Sequence, residues 1–210
     1  MPPIDHSAPR VRLFANQHLE RLTLISPGIF ALFWAIALPL IAWVGWGAVE
    51  PWAGFGLALA GIVVWTLFEY AMHRYLFHLE TNVPVLKWFV FLIHGNHHSS
   101  PNDPLRGLMP LPASLPIAAL VWLAFDLALG KPGTWLFLGF MIGYVLYDGI
   151  HFACHQWSME GRVSSAIKRH HMRHHYVDED RNFAISAIFW DQVFGSRITS
   201  LKRTRQERGQ

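Results

Sequence analysis

Four stretches of the chain stay apolar for about the 20 residues that a helix needs to cross a bilayer. Residues 29–49 carry no charge and follow Ser26-Pro27-Gly28, a helix start signal, with Pro39 placed to kink the run. Glu50-Pro51-Trp52 makes a short turn, and residues 53–72 form a second span that leads directly into His73. Residues 85–98, with Lys87 and Trp88 near the start, are too short to cross and predict a helix lying at the interface. Pro101, Pro104, Pro110 and Pro112 then predict a loop over 99–112. Residues 113–129 and 134–155 form the third and fourth spans, joined by the tight turn Gly130-Lys131-Pro132-Gly133. Beyond them, 160–176 predict a polar helix and 183–197 a segment that packs back as a cap. The expected fold is an all-α membrane protein, with four transmembrane helices in two hairpins under a cytoplasmic cap rich in histidine. It divides into a polar N-terminal segment at 1–26 with a short amphipathic helix over 10–25, one membrane-embedded domain at 27–199, and a basic tail at 200–210.

Composition supports the membrane assignment. Apolar residues make up 52% and charged residues only 15%, a balance that favours an integral membrane protein over a soluble one. Of the 17 Lys and Arg, only Lys131 falls in the two turns opposite the N-terminal segment. The positive-inside rule therefore puts both termini, and with them every histidine cluster, on the cytoplasmic side. The net charge of +3 reads as cytoplasmic loops and contact with anionic headgroups rather than as nucleic-acid binding. The first 25 residues mix Asp5, Arg10, Arg12, Glu20 and Arg21 without an apolar run, so no cleavable signal is expected. Gly54, Gly56, Gly139 and Gly143 lie in apolar spans and read as helix-packing positions. No Walker loop or dinucleotide-binding glycine signature is present.

The polar chemistry is concentrated in histidine. Ten of the 13 histidines form four groups: His73 with His78, His94 with His97 and His98, His151 with His155, and His171 with His174 and His175. Imidazole is the commonest protein ligand for transition metals, and residues three and four apart share a helix face. The second, third and fourth groups can thus each aim at one centre. His73 and His78, five apart, diverge by roughly 140° on an ideal helix and need a helix end or a distortion between them. Ten imidazoles exceed the four of a closed zinc site and suit two metals, each with several imidazoles and an open position. Cys154, the one cysteine, reads as a small buried apolar residue or a soft ligand beside His155. A non-catalytic ion carrier would spread its histidines through the membrane depth, whereas these gather on one side.

In order along the chain the groups read HxxxxH, HxxHH, HxxxH and HxxHH. With Glu69 to His78, Gly143 to His151, and Ala184 to Asp191, they resemble the fatty acid hydroxylase superfamily of membrane di-iron enzymes. The likeness covers roughly 65–197 and is strongest to the fatty acid 2-hydroxylase branch. It implies a dinuclear iron centre held by His73, His78, His94, His97, His98, His151, His155, His171, His174 and His175. It also implies use of O2 and two electrons, and hydroxylation of an acyl chain next to its carboxyl carbon. His170 matches a variable position and is not carried over. Zinc can replace iron on purification, because it binds such sites well. The 210 residues leave no length for the cytochrome b5 domain fused to many eukaryotic members, so a separate cytochrome b5-like or ferredoxin-like donor is expected. A sterol or carotenoid oxidase or desaturase of the same superfamily is the alternative.

Metal-bound imidazoles usually donate their other N–H to a carboxylate or carbonyl. Asp148, three residues before His151, and Glu69, four before His73, are the candidate partners on sequence spacing. The competing expectation is that each pairs with Arg74, Arg106 or Arg173. Arg74, Lys87, Tyr147 and Trp157 are candidates to meet a lipid headgroup, with interfacial anchoring the preferred role for the Lys and Trp.

Overall fold

Short polar signals start and stop each helix. In the computed structural model, which describes residues 10–199, Asn16 caps α1 (Gln17–Leu22) by accepting hydrogen bonds from the backbone N–H of His18 and Leu19. This helix is shorter than the expected 10–25, because the Glu20 carboxylate accepts from the N–H of Leu13 and Phe14 and folds the preceding residues back on it. Ser26 caps α2 (Pro27–Gly45), and Pro27 and Pro51 sit in the first turns of α2 and α3 (Pro51–Met72), where their missing N–H costs nothing. The first span stops at Gly45 rather than 49, as the chain turns through Gly47 at φ 71°. The predicted interface helix is α4 (Pro84–Val90) and α5 (Asn96–Ser99), joined by a π-helical turn, Phe91–Gly95. The second hairpin is α6 (Leu111–Leu129) and α7 (Gly133–Gln156), joined through Gly130 at φ 66°. Then follow α8 (Arg162–Tyr176) and a largely irregular return containing α9 (Trp190–Val193). The tail expected at 200–210 and the first nine residues lie outside the described residues.

Among the described residues, four helices are long and apolar enough to cross a membrane: Pro27–Gly45, Pro51–Phe77, Leu111–Leu129 and Gly133–Gln156. They share the work unequally. In α7, 67% of the apolar window is buried, against 11–22% in the other three. The fourth span is therefore the core, and α2, α3 and α6 pack around it with their outer faces left for lipid. Trp34, Trp65, Phe140, Tyr144 and Tyr147 interlock at the centre, with ring centroids 4.9–5.5 Å apart for Trp34–Tyr144 and for Trp65 with Phe140, Tyr144 and Tyr147. Tyr147 thus belongs to the core and is not placed to meet a headgroup. At the end away from the histidines Trp43, Trp46 and Trp52 are 71–78% exposed, the interfacial belt expected of a membrane protein.

Glycine sets the α3–α7 spacing. A Cβ on Gly139 would lie 1.8 Å from the Ala58 carbonyl oxygen, and one on Gly61 2.1 Å from that of Leu136. Gly54 and Gly143 also pack closely, against Trp135 and Trp65, but Gly56 faces open space and is not a packing position.

At the histidine end, the N-terminal segment is tied to the proline-rich loop. Arg10 pairs with Asp103 at 2.5 Å and Arg106 with Glu20 at 2.5 Å, and Ile25 N–H donates to the Leu105 carbonyl. Burial would raise the Asp103 carboxyl, but the Arg10 hydrogen bond, the Leu105 N–H and the charges of Arg10 and Arg106 together outweigh it and hold the group below its ordinary value.

Candidate metal centre

The second span does not end at Met72. It continues as a π-helical turn, His73–Phe77, in which His78 N–H donates to the His73 carbonyl. An i→i+5 bond stacks residue 78 over residue 73, which removes the divergence of an α-helix. The two rings lie 5.1 Å apart between centroids. The second π turn, Phe91–Gly95, re-phases the α4–α5 helix in the same way. Its loosened carbonyls at Phe91 and Leu92 are taken by the Asn96 side-chain amide at 3.1 and 2.7 Å.

All ten motif histidines converge, in two groups of five that could each hold a metal ion. One group is His73, His78, His94, His98 and His174; the other is His97, His151, His155, His171 and His175. Within each group, one ring nitrogen per residue lies within 4.8 Å of all the others. The first motif falls wholly in one group and the third wholly in the other. The second and fourth motifs are split, because consecutive residues such as His97 and His98 point about 100° apart on a helix. His98 and His175 stack between the groups at 4.3 Å.

The donor set fits metal ions. His73 Nδ1 lies 2.5 Å from the Phe183 carbonyl and His174 Nδ1 2.7 Å from that of Arg181. A carbonyl only accepts, so each Nδ1 carries the proton and each Nε2 turns a bare lone pair inward. Those Nε2 atoms approach one another at 3.1 Å for His73–His94, 2.9 Å for His94–His98 and 3.2 Å for His98–His174. In the second group the spacing is 2.8 Å for His155–His171 and 2.9 Å for His97–His151. Clustered lone pairs repel unless a cation lies between them. His78 Nε2, buried in the first group, has no hydrogen-bond partner among the described residues.

Burial also keeps these rings neutral, the state a metal requires. It lowers His78 to about 4 and His98 to about 3, the latter with help from neighbouring imidazoles. Burial first, then the adjacent histidines, holds His94, His97, His171 and His174 well below the ordinary imidazole value, and lowers His175 too.

The two carboxylates expected to hold histidines do something else. Glu69 accepts from the N–H of Ile185 at 2.6 Å and of Ser186 at 2.8 Å, and from the Ser186 hydroxyl, not from His73. Asp148 accepts from Met109 N–H at 2.9 Å and the Tyr144 hydroxyl at 3.1 Å, not from His151. Neither forms an ion pair with an arginine among the described residues; Arg106 pairs with Glu20, and Arg74 donates to the Tyr70 hydroxyl. Both act one step further out: Glu69 fixes the strap that offers Phe183 O to His73, and Asp148 ties the proline-rich loop at Met109 to the span that bears His151.

Asp191 and Asn182 were not singled out by spacing. Fully buried Asp191 accepts from Phe183 N–H, Ala184 N–H, the Ser196 hydroxyl and His170 Nε2 at 2.7–2.9 Å. Asn182, at φ 57°, donates to the His170 carbonyl and accepts from Ile198 N–H. A lone carboxylate in the apolar run 183–194 was the available signal. His170 faces Asp191 and lies outside both groups, and Cys154 is buried without joining either.

A membrane-embedded helical protein with two five-imidazole groups under its spans is an integral membrane metalloprotein. Comparison with known proteins narrows this. The chain belongs to the fatty acid hydroxylase family, whose model matches residues 58–196, and it is an oxidoreductase of the hydroxylase type. It is 34% identical to the dihydroceramide fatty acyl 2-hydroxylase FAH1 of Arabidopsis thaliana, over 93% of this chain and 83% of that one. It is 36% identical to the ceramide very long chain fatty acid hydroxylase scs7 of Schizosaccharomyces pombe, over 88% of this chain but 54% of that one. The solved structure of full-length scs7p, in which only the hydroxylase domain is visible, superposes with a TM-score of 0.80 at 31% identity, covering 88% of this chain and 71% of that one.

Proposed function

We propose that the protein hydroxylates a fatty acyl chain of a membrane lipid at the carbon next to the carboxyl group, using two irons bound by the ten histidines. The observation that carries this reading is the convergence of ten buried imidazoles in two groups of five. The relatives named as 2-hydroxylases of ceramide-type acyl chains support the substrate class and the position attacked. The balanced reaction takes a C–H bond, O2, two electrons and two protons to a C–OH bond and water.

When bound, the irons supply the redox capacity that O2 needs to attack an unactivated C–H bond. The chain's own residues provide the rest. Phe183 O and Arg181 O fix the tautomers of His73 and His174 so that Nε2 faces inward. Tyr147 lies parallel to the His151 ring, 5° between planes and 6.1 Å between centroids, and closes the site towards the core. The wall of aromatic side chains around Trp65 excludes water from the approach within the spans. The acyl chain enters from the bilayer, and the electrons come from a separate cytochrome b5-like or ferredoxin-like donor. The excess of Lys and Arg at the histidine end supports a cytoplasmic site.

The test is lipid mass spectrometry on cells expressing the chain or its His97→Ala variant, with iron measured in both purified proteins. A lipid gaining one oxygen only with the intact chain, located by fragmentation beside the carbonyl, is the expected result. Loss of two hydrogens would replace hydroxylation by desaturation, and an intact chain that binds no metal would sink the reading.

A further inference from the structure

Outside the metal centre, three arginines gather at the back of α8. The front of this helix presents His171, His174 and His175 to the two groups. Its other side carries Arg169 and Arg173, one turn apart, and the returning chain brings Arg197 opposite them. The three line a cleft of about 250 Å³ whose other walls are Ala166, His170 and Ile188. None of the three arginines forms an ion pair with a carboxylate among the described residues. Asp191, whose backbone carbonyl accepts from Arg197 N–H, has its carboxylate committed to four donors. Like charges one turn apart weaken a helix, so folding alone gives no reason to gather them. Three arginines lining one small cleft match a phosphate, which guanidinium groups bind through paired N–H donors.

A second observation says where that phosphate comes from. Two residues beyond Ile188, Trp190 Nε1 donates to Thr66 Oγ1 at 3.1 Å, and Phe194 stacks on Tyr70 with centroids 5.0 Å apart. Thr66 and Tyr70 belong to a transmembrane helix that starts at Pro51. At 1.5 Å per residue, Thr66 lies roughly 22 Å along that helix, still inside a hydrocarbon layer about 30 Å thick. The tip of the return is therefore at the acyl–headgroup boundary. It also turns apolar side chains outward: Phe189 is 52% exposed, Val193 62% and Phe194 45%, beside Val63 of the span at 62%. An apolar tip in the outer acyl layer with arginines just above it is the arrangement of an interfacial anchor.

We propose that Arg169, Arg173 and Arg197 bind the phosphate of an anionic membrane lipid, with the Ile188–Phe194 tip seated in the acyl layer beneath it. The concavity and the apolar rim favour a lipid over the flat acidic face of a protein. The site stands apart from the proposed chemistry: lipid retention is read on resting, metal-loaded protein, so either reading can fail alone.

The test is native mass spectrometry of the full chain released from nanodiscs of phosphatidylcholine with 20% phosphatidylglycerol. We compare it with the triple variants R169Q/R173Q/R197Q and R169K/R173K/R197K, each checked for wild-type metal content. The expected result is selective retention of phosphatidylglycerol by the wild type, at least tenfold weaker retention by the Gln variant, and partial retention by the Lys variant. Equal retention of both lipids, or retention unchanged in the Gln variant, overturns the proposal. Displacement by millimolar inorganic phosphate, with phosphate binding alone in lipid-free detergent, would make this a free-phosphate site. If the Gln variant kept its lipid but lost reduction by an acidic donor protein, the surface would belong to that protein. Should the Gln variant fail to fold, a nitroxide on V193C answers independently, since the other cysteine, Cys154, is buried. Its electron paramagnetic resonance should report preferential access to oxygen over a water-soluble nickel chelate, and the reverse order overturns the seated tip.

Discussion

The Gly139→Ala substitution tests whether helix spacing controls the metal centre. The added Cβ would lie 1.8 Å from the Ala58 carbonyl oxygen, about 1.6 Å short of ordinary van der Waals contact. Both atoms are held by helix backbone, so no flexible side chain can move aside. The helices must separate instead, and they carry the site between them: α3 leads into His73 and His78, and α7 bears His151 and His155. A displacement above 1 Å is several times the roughly 0.2 Å tolerance of metal–ligand distances. Overpacking of this kind costs about 3 kcal/mol, the upper end of the usual range. By the scaling for domains of this size, that lowers the thermal midpoint by roughly 6–12 °C. Gly56→Ala in the same hairpin is the control, because its Cβ meets nothing within 4 Å. The assays are metal per chain by plasma mass spectrometry and the thermal midpoint in nanodiscs. We expect Gly139→Ala to lose more than half its metal and Gly56→Ala to match the wild type. A Gly139→Ala protein with full metal and an unchanged midpoint would refute the reasoning, as would an equal loss in Gly56→Ala.

The five-and-five division predicts that His78→Ala and His155→Ala each retain about one metal per chain, whereas one shared site would empty in both. Plasma mass spectrometry of each variant decides it. Asp191→Asn keeps the size of a buried group but weakens its hold on the Phe183 and Ala184 amides, so metal affinity should fall about 10–100-fold with the fold intact. Competition with a chelator measures it, and unchanged affinity would remove the strap from the account of the site. Asp103 has a lowered folded-state pKa, so it adds stability above its unfolded value near 3.9 and loses it as the pH falls through the folded value. Asp103→Asn should therefore lower the thermal midpoint at pH 7 and lower it progressively less as the pH falls below about 3.9; a constant gap across that range would show that the charge of Asp103 is not its source.

What the sequence reveals here follows what physics writes into side-chain identity. Lipid demands uncharged runs of fixed length, so the four spans are legible, as is the side of the membrane that collects charge. Spacings of three and four put His94, His97 and His98, and likewise His171, His174 and His175, near one another without any knowledge of the partner helix. The HxxxxH spacing was the test case. It is wrong for an α-helix, and the π turn at His73–Phe77 restores by backbone geometry what HxxxH obtains in regular α-helix at His151 and His155. That distortion was required by the motif but could not be located in it. The division of His97 from His98 was hidden for a related reason, since it depends on which helix lies opposite each ring.

The groups that orient the imidazoles were the hardest to read, and the cause is chemical. Every residue carries a carbonyl, so Phe183 and Arg181 have no signature as partners of His73 and His174. Spacing instead pointed to Glu69 and Asp148, because it ranks only neighbours on the same helix. Both carboxylates are buried and both matter to the site, but each spends its lone pairs on backbone amides of a loop. Asp191 does the same from the far side, so Glu69 and Asp191 together hold the four consecutive amides of residues 183–186. The consequence is a division of labour. At His73 and His174 neutral carbonyls touch the rings, fixing their tautomer without adding negative charge there; at His98 a carboxylate touches the ring instead, with Glu179 3.3 Å from Nδ1. Glu69 and Asp191 stand one step back, where they stiffen the strap that presents the Phe183 carbonyl. A charge-removing substitution at Glu69 or Asp191 should therefore act on ligand geometry before it acts on the electronic character of the metals.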